Sequence, residues 1–197
     1  RRYETLSDVL AYSARVAASV GAMMSVVMER REPGTLARAC DLGVAMQLSN
    51  IARDVGEDAR MGRVYLPRQW LAEAGIDAEA WLARPAFTPA LGEVVRRLLD
   101  AAWPLYERAA VGIAELPAGC RPGIHLAARV YAEIGREVLR RGGDSVSARA
   151  VVGGGRKAAL LPGACLAALR RPPADPSPPL AETRFLVDAV VAADTGS

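Results

Sequence analysis

Aromatic residues make up only 5% of this 197-residue chain, cysteine occurs three times and histidine once, and each shortage closes off a class of protein. With 51% hydrophobic residues and few rings, the core must be built from aliphatic and alanine side chains. The chain is long enough for one sizeable core. Ala and Leu dominate and β-branched residues are mostly scattered singly, so the propensities favour helices over strands and predict an all-α protein. Cys40, Cys120 and Cys165 lie far apart with no CxxC spacing. That excludes the usual zinc and disulfide patterns and suits a reduced cytoplasm. The lone histidine, His125, lies between Ile124 and Leu126, where a core or interface role outweighs a catalytic one.

Charge of one sign is also scarce. The net charge is +3, and basic pairs such as Arg30-Arg31, Arg96-Arg97 and Arg140-Arg141 stand among acidic neighbours, so no stripe for nucleic acid forms. No uninterrupted apolar run reaches the roughly 18 to 20 residues that span a bilayer, and no signal pattern opens the chain, which leaves peripheral membrane contact. Gly153-Gly154-Gly155 does not follow a strand, so no dinucleotide loop and no use of NADPH are expected. The chain begins at Arg1-Arg2-Tyr3-Glu4-Thr5 without Met and enters a helical pattern almost at once. That start suggests a cut inside a longer protein.

Apolar spacing and punctuation divide the rest. Thr5 or Ser7 can cap a first helix running through Leu10, Val16, Val20 and Met24 to near Arg31. Pro33-Gly34 marks a break, and a second helix capped by Thr35 runs from Leu36 to about Ala59, closed by Gly62. Arg63 to Pro67 is an ordered loop into a short helix at Gln69 to Ala74. A long helix covers Pro89 to Glu115, where Pro104 should kink or divide it. Another runs from Arg121 to about Arg141. A segment with Pro172, Pro173, Pro176, Pro178 and Pro179 reads as an extended linker. The expected organisation is a main unit over 1–161, a Pro-rich linker over 162–179, and a short tail helix or disordered end over 180–197.

The second helix carries the chemistry. At about 100° per residue, Gln47, Asn50, Asp54 and Asp58 fall on one quarter of its circumference, with oxygens three or four residues apart. Oxygen-only donors favour magnesium, or manganese, over zinc, and magnesium typically keeps sites open for phosphate, so a diphosphate substrate follows. The plainer alternative is a solvated helix end with clustered acids.

The run Asn50-Ile51-Ala52-Arg53-Asp54-Val55-Gly56-Glu57-Asp58-Ala59-Arg60-Met61-Gly62-Arg63-Val64-Tyr65-Leu66-Pro67 resembles the second aspartate-rich signature of the squalene and phytoene synthase family. Similarity continues through Tyr3-Glu4-Thr5-Leu6, Val16 to Gly21, Gly112 to Pro117, Ala128 to Gly135 and Arg149 to Val152. The resemblance implies an all-α isoprenoid-synthase fold incomplete at its N-terminus. It also implies head-to-head joining of two prenyl diphosphates, geranylgeranyl diphosphate in the type it most resembles. By the same resemblance Asn50, Asp54 and Asp58 match metal-binding positions, with Asp54, Asp58, Tyr65 and Tyr131 in catalytic roles. Tyr12, Gln47, Arg53, Arg149 and Lys157 match substrate-binding positions, and Glu57 an acidic neighbour. The family's other acidic motif is not in this chain, so the chain alone is expected to be inactive. Gly143 stands where many relatives carry Tyr, and the three glycines before Lys157 suggest a flexible loop. Squalene-type, dehydrosqualene or presqualene diphosphate synthesis shares the signature, and a non-catalytic helical subunit is the alternative of another class. Met23, Met24 and Met28 are expected to face the cavity or core.

Overall fold

The computed structural model describes residues 2–195, and every regular element among them is helical. Thr5 caps α1 (Leu6–Ser13) with a full capping box: its hydroxyl accepts from the Asp8 N–H, and the Asp8 carboxylate accepts from the Thr5 N–H. A π turn, Ala14–Ala18, then leads into α2 (Ser19–Val27). The first helical run ends at Val27, short of Arg31, because Glu29 takes a left-handed φ of 58°. Pro33 does not break the next helix but begins it. It occupies the first turn of α3 (Pro33–Arg60), after Glu32 as N-cap, where its missing N–H costs nothing. Thr35 is therefore inside the helix and not its cap.

The central element is α3. It packs along its length on α6 (Pro89–Glu115), and also on α2 and α7 (Arg121–Arg140). Pro104 leaves α6 undivided. Short helices α4 (Arg68–Glu73) and α5 (Ala78–Ala83) cover one end. Beyond α7 the three glycines start a helix, α8 (Gly154–Ala159), where a flexible loop was expected. A further helix, α9 (Leu161–Ala168), occupies the start of the supposed linker, so extended chain begins only at Arg170. The tail ends in α10 (Arg184–Thr195), whose Val187 packs on Leu36 and Ala37. Residues 196–197 of the predicted tail lie outside the described residues.

One helical run, Leu6–Val27, has the length and mean hydropathy (1.4) of a bilayer span. Its Ala14, Ala18 and Ala22 are buried in the main core. Glycines allow that approach: a Cβ on Gly43 would lie 2.6 Å from the Ala17 carbonyl oxygen, and one on Gly21 would lie 2.4 Å from that of Ala39. Gly143 is fixed twice over. Its φ is 81°, and a Cβ there would sit 2.7 Å from Gly92 Cα, so a Tyr at this position would find no room.

Glu133, buried on α7, ties that helix to α8 by accepting from Arg156 Nε at 2.9 Å and Arg140 Nη2 at 2.5 Å. The Arg156 hydrogen bond, then the charges of Arg156, Arg140 and Arg136, hold its carboxyl below the ordinary 4.5, against the pull of burial. A depressed carboxyl contributes stability that is full above its unfolded pKa and is lost as pH falls through the folded one. Glu133→Gln should therefore cost stability at neutral pH. The arginines are half exposed, so the loss lies at the low end of about 1.5 to 3 kcal/mol. Urea unfolding at several pH values checks this: the gap to the parent should close as pH drops below 4.5, and a constant gap would rule out the ionised carboxylate as its source.

Candidate active site

One stripe of α3 changes character along its length. Leu42, Met46, Asn50, Asp54 and Asp58 recur at a spacing of four, so they form a stripe that winds round the helix by about 40° at each step. The first three line a cavity of about 350 Å³, together with Gln47. Val16, Val20, Met24 and Met28 line its opposite wall, again at a spacing of four, and Ile113, Ile124 and Tyr131 close the sides from α6 and α7. The cavity is thus apolar over most of its length, with amides at one end and carboxylates just beyond. Of the three methionines expected to face inward, Met24 and Met28 line the cavity and Met23 does not.

The loop after α7 brings a cation over the acidic end. Asp144 caps its own turn by accepting from the N–H groups of Val146 and Ser147. Ser145 then grips α3: its hydroxyl donates to the Ala52 carbonyl at 2.6 Å, and its own carbonyl accepts from the Gly56 N–H at 3.1 Å. Gly56 makes this possible, since a Cβ there would be 2.6 Å from Val146. Arg149, four residues on from Ser145, lands on Asp54 with Nε 2.7 Å from Oδ1, and reaches Glu57 at 3.3 Å. Arg53 holds the same carboxylate from within the helix, by Nε at 2.7 Å and Nη2 at 2.5 Å.

Two carboxylates one turn apart therefore differ. Burial raises the Asp54 carboxyl, but the hydrogen bonds and charges of Arg53 and Arg149 outweigh it and leave it below its usual range. Asp58 has no such clamp. Burial, then the Asp54 charge, push it up to about 6. A divalent cation would relieve that repulsion, and the donors present are all oxygens, as a hard cation needs. Such a cation would meet only one side of a site here, since among the described residues no three acidic, histidine or cysteine groups converge on one point.

Tyrosines flank Asp58. Tyr3, Tyr12 and Tyr65 form a cluster with ring centroids 5.0 to 5.6 Å apart. Burial, then the Tyr65 hydrogen bond and neighbouring charge, raise the Tyr12 hydroxyl to about 12. Tyr65 and Asp58 share a small recess with Arg63. The structure thus gathers Gln47, Asn50, Arg53, Asp54, Asp58, Tyr12, Tyr65 and Arg149 at one end, with Tyr131 on the cavity wall. Lys157 stays apart, exposed on α8 with no ion pair among the described residues. His125 is buried on α7. Sequence reasoning missed Tyr3, and it missed Arg38 and Asp41. An ion pair set into the otherwise apolar stretch 36–46 was the available signal for those two.

The squalene/phytoene synthase family model matches residues 1–156. A phytoene synthase of Rhodobacter capsulatus is 53% identical over 194 residues, 96% of this chain and 57% of that protein. One of Cereibacter sphaeroides is 58% identical over 150 residues, 76% of this chain and 42% of that protein. The chain thus spans about half the length of these relatives. A crystal structure of a dehydrosqualene synthase in complex with ligand matches with a TM-score of 0.75 at 32% identity, over 83% of this chain and 58% of that one. The fold is accordingly that of the helical isoprenoid synthases.

Proposed function

The chain belongs to the squalene/phytoene synthase family, and we propose that it is part of a phytoene synthase. The complete enzyme would join two geranylgeranyl diphosphates through prephytoene diphosphate to phytoene, using magnesium or manganese and no NADPH. The observation that carries this reading is the α3 stripe, apolar at Leu42 and Met46 and anionic at Asp54 and Asp58, beside a cavity of matching character. A prenyl diphosphate is apolar and anionic in the same order.

Asn50, Asp54 and Asp58 would hold the metal, which neutralises the diphosphate and eases its departure. Arg149 is engaged by Asp54 and Glu57. Once a cation takes Asp54, its fork can turn to a phosphate oxygen. The departing diphosphate leaves an allylic cation, and the faces of Tyr12, Tyr65 and Tyr131 suit a passing positive charge. The double bond of the second chain closes a cyclopropane with loss of a proton. A second departure of diphosphate and rearrangement, ending in loss of another proton, gives the hydrocarbon without a reductant.

The dehydrosqualene synthase likeness supports a second reading, in which farnesyl diphosphate is the substrate. Incubating the complete polypeptide with geranylgeranyl or farnesyl diphosphate, with and without NADPH, separates the two. Phytoene from geranylgeranyl diphosphate, with no response to NADPH, is expected. Preferred use of farnesyl diphosphate would overturn the phytoene assignment.

A further inference from the structure

The end of the cavity farthest from the carboxylates is polar, which a pocket for hydrocarbon does not require. Arg38 lines it, yet its side chain is only 3% exposed. The guanidinium turns away from the cavity, with Nε 2.9 Å from the buried Asp41 and Nη1 2.5 Å from Asp175. Its Nη2 donates to the Ser177 carbonyl at 3.0 Å. Arg108 completes the cluster, 3.0 Å from Asp41 and donating to the Pro178 carbonyl at 2.8 Å. The N–H directions at the Nε atoms of Arg38 and Arg108 are poor for hydrogen bonds to Asp41, so the ion pairing there is chiefly charge on charge. Asp175, Ser177 and Pro178 all belong to the extended stretch that begins at Arg170, which is a strap fastened across this end. Gly112 shuts the other side, since a Cβ there would lie 2.3 Å from Arg38 Cβ. Ser25, opposite on α2, lines the same end with a buried hydroxyl that has no hydrogen-bond partner among the described residues.

We propose that Arg38 is a specificity-determining residue that fixes where the prenyl chain must end, and that the Pro-rich strap holds it there through Asp175. The inference rests on the prenyl diphosphate reading of the cavity. Arg38 lies twelve residues before Asn50 on one helix, about 18 Å along its axis. A chain reaching farther would meet the Arg38 stem, held in place from behind, and would bury its methyl groups against the bare Ser25 hydroxyl with nothing in return. It could pass only by moving Arg38, and Arg38 is anchored by two carboxylates and a carbonyl. The strap lies beyond residues 1–156 that the family model matches, so the segment that holds Arg38 lies outside that match.

The test is a substrate series on the complete polypeptide and its Asp175→Ala and Asp175→Asn variants, with kcat/KM measured for farnesyl, geranylgeranyl and geranylfarnesyl diphosphates. Both variants free one side of Arg38, and the Asn form keeps the shape of the strap should the Ala form fail to fold. The ratio of geranylfarnesyl to geranylgeranyl use should rise about tenfold, the scale on which an apolar pocket discriminates by length, while Asp175→Glu should restore most of the parent's ratio. If folded variants lose activity on all three substrates equally, with the ratio unchanged, the strap is merely structural and the proposal falls. If the parent uses none of the three, the prenyl reading itself falls and takes this one with it.

Discussion

Replacing Asp54 by Asn in the complete polypeptide should lower turnover by about three orders of magnitude, roughly 4 kcal/mol of transition-state stabilisation, while leaving the fold intact. Asn keeps the size of the side chain and an oxygen for Arg53 and Arg149, and Arg149 is half exposed and can fall back on water or Glu57. What disappears is the charge that brings a cation to Asn50 and Asp58. Helical circular dichroism should stay that of the parent, with the melting temperature lower by a few degrees as the pairing with Arg53 and Arg149 weakens. Turnover at the parent's rate with saturating magnesium would remove Asp54 from the machinery.

Gly43→Ala is expected to cost the chain much of its stability. The new carbon would lie 2.6 Å from the Ala17 carbonyl oxygen and 2.7 Å from Ala18 Cα, so it meets backbone on the π turn and no flexible side chain can yield. Forcing α2 off α3 costs about 3 kcal/mol or more, beyond the usual overpacking range, because the displaced atoms belong to a whole helix. For a chain of this length that lowers the melting temperature by about 6 to 12 °C. Differential scanning calorimetry of parent and variant measures it. A shift of under a degree would mean that the two helices part easily.

Much of this architecture was legible because it is local. Thr88 and Pro89 announce the start of α6, and its stripe of leucines and valines carries it to Glu115, the bounds the spacing predicts. The polar stripe from Gln47 to Asp58 was readable for the same reason, since all its members sit on one helix. What was not legible depends on distant partners. α5 and α9 are short helices kept by tertiary burial, of Trp81 in one and of Ala164 and Ala168 in the other. No local pattern announces the π turn or the left-handed Glu29. Arg149 was placed only by family resemblance, because the Ser145 grip that aims it spans 93 residues. The Arg38–Asp41 pair was there to be read, but its partner Asp175 lies 137 residues away and no local pattern points to it.

The continuity of α3 bears on how such a protein can change over generations. Arg38, Asn50, Asp54 and Asp58 ride on one unbroken helix. One residue inserted between Arg38 and Asn50 would turn everything after it by about 100°, breaking the slow winding that sets both aspartates just beyond Leu42 and Met46. Substitutions in this stretch alter one wall at a time and can be tolerated singly, whereas a change of length severs the anionic end from the apolar one in a single step. Descendants of this sequence should therefore differ between residues 38 and 58 in identity and almost never in number. Any drift toward other prenyl chains should be recorded in the residues that plug the cavity, not in the spacing of the helix that frames it.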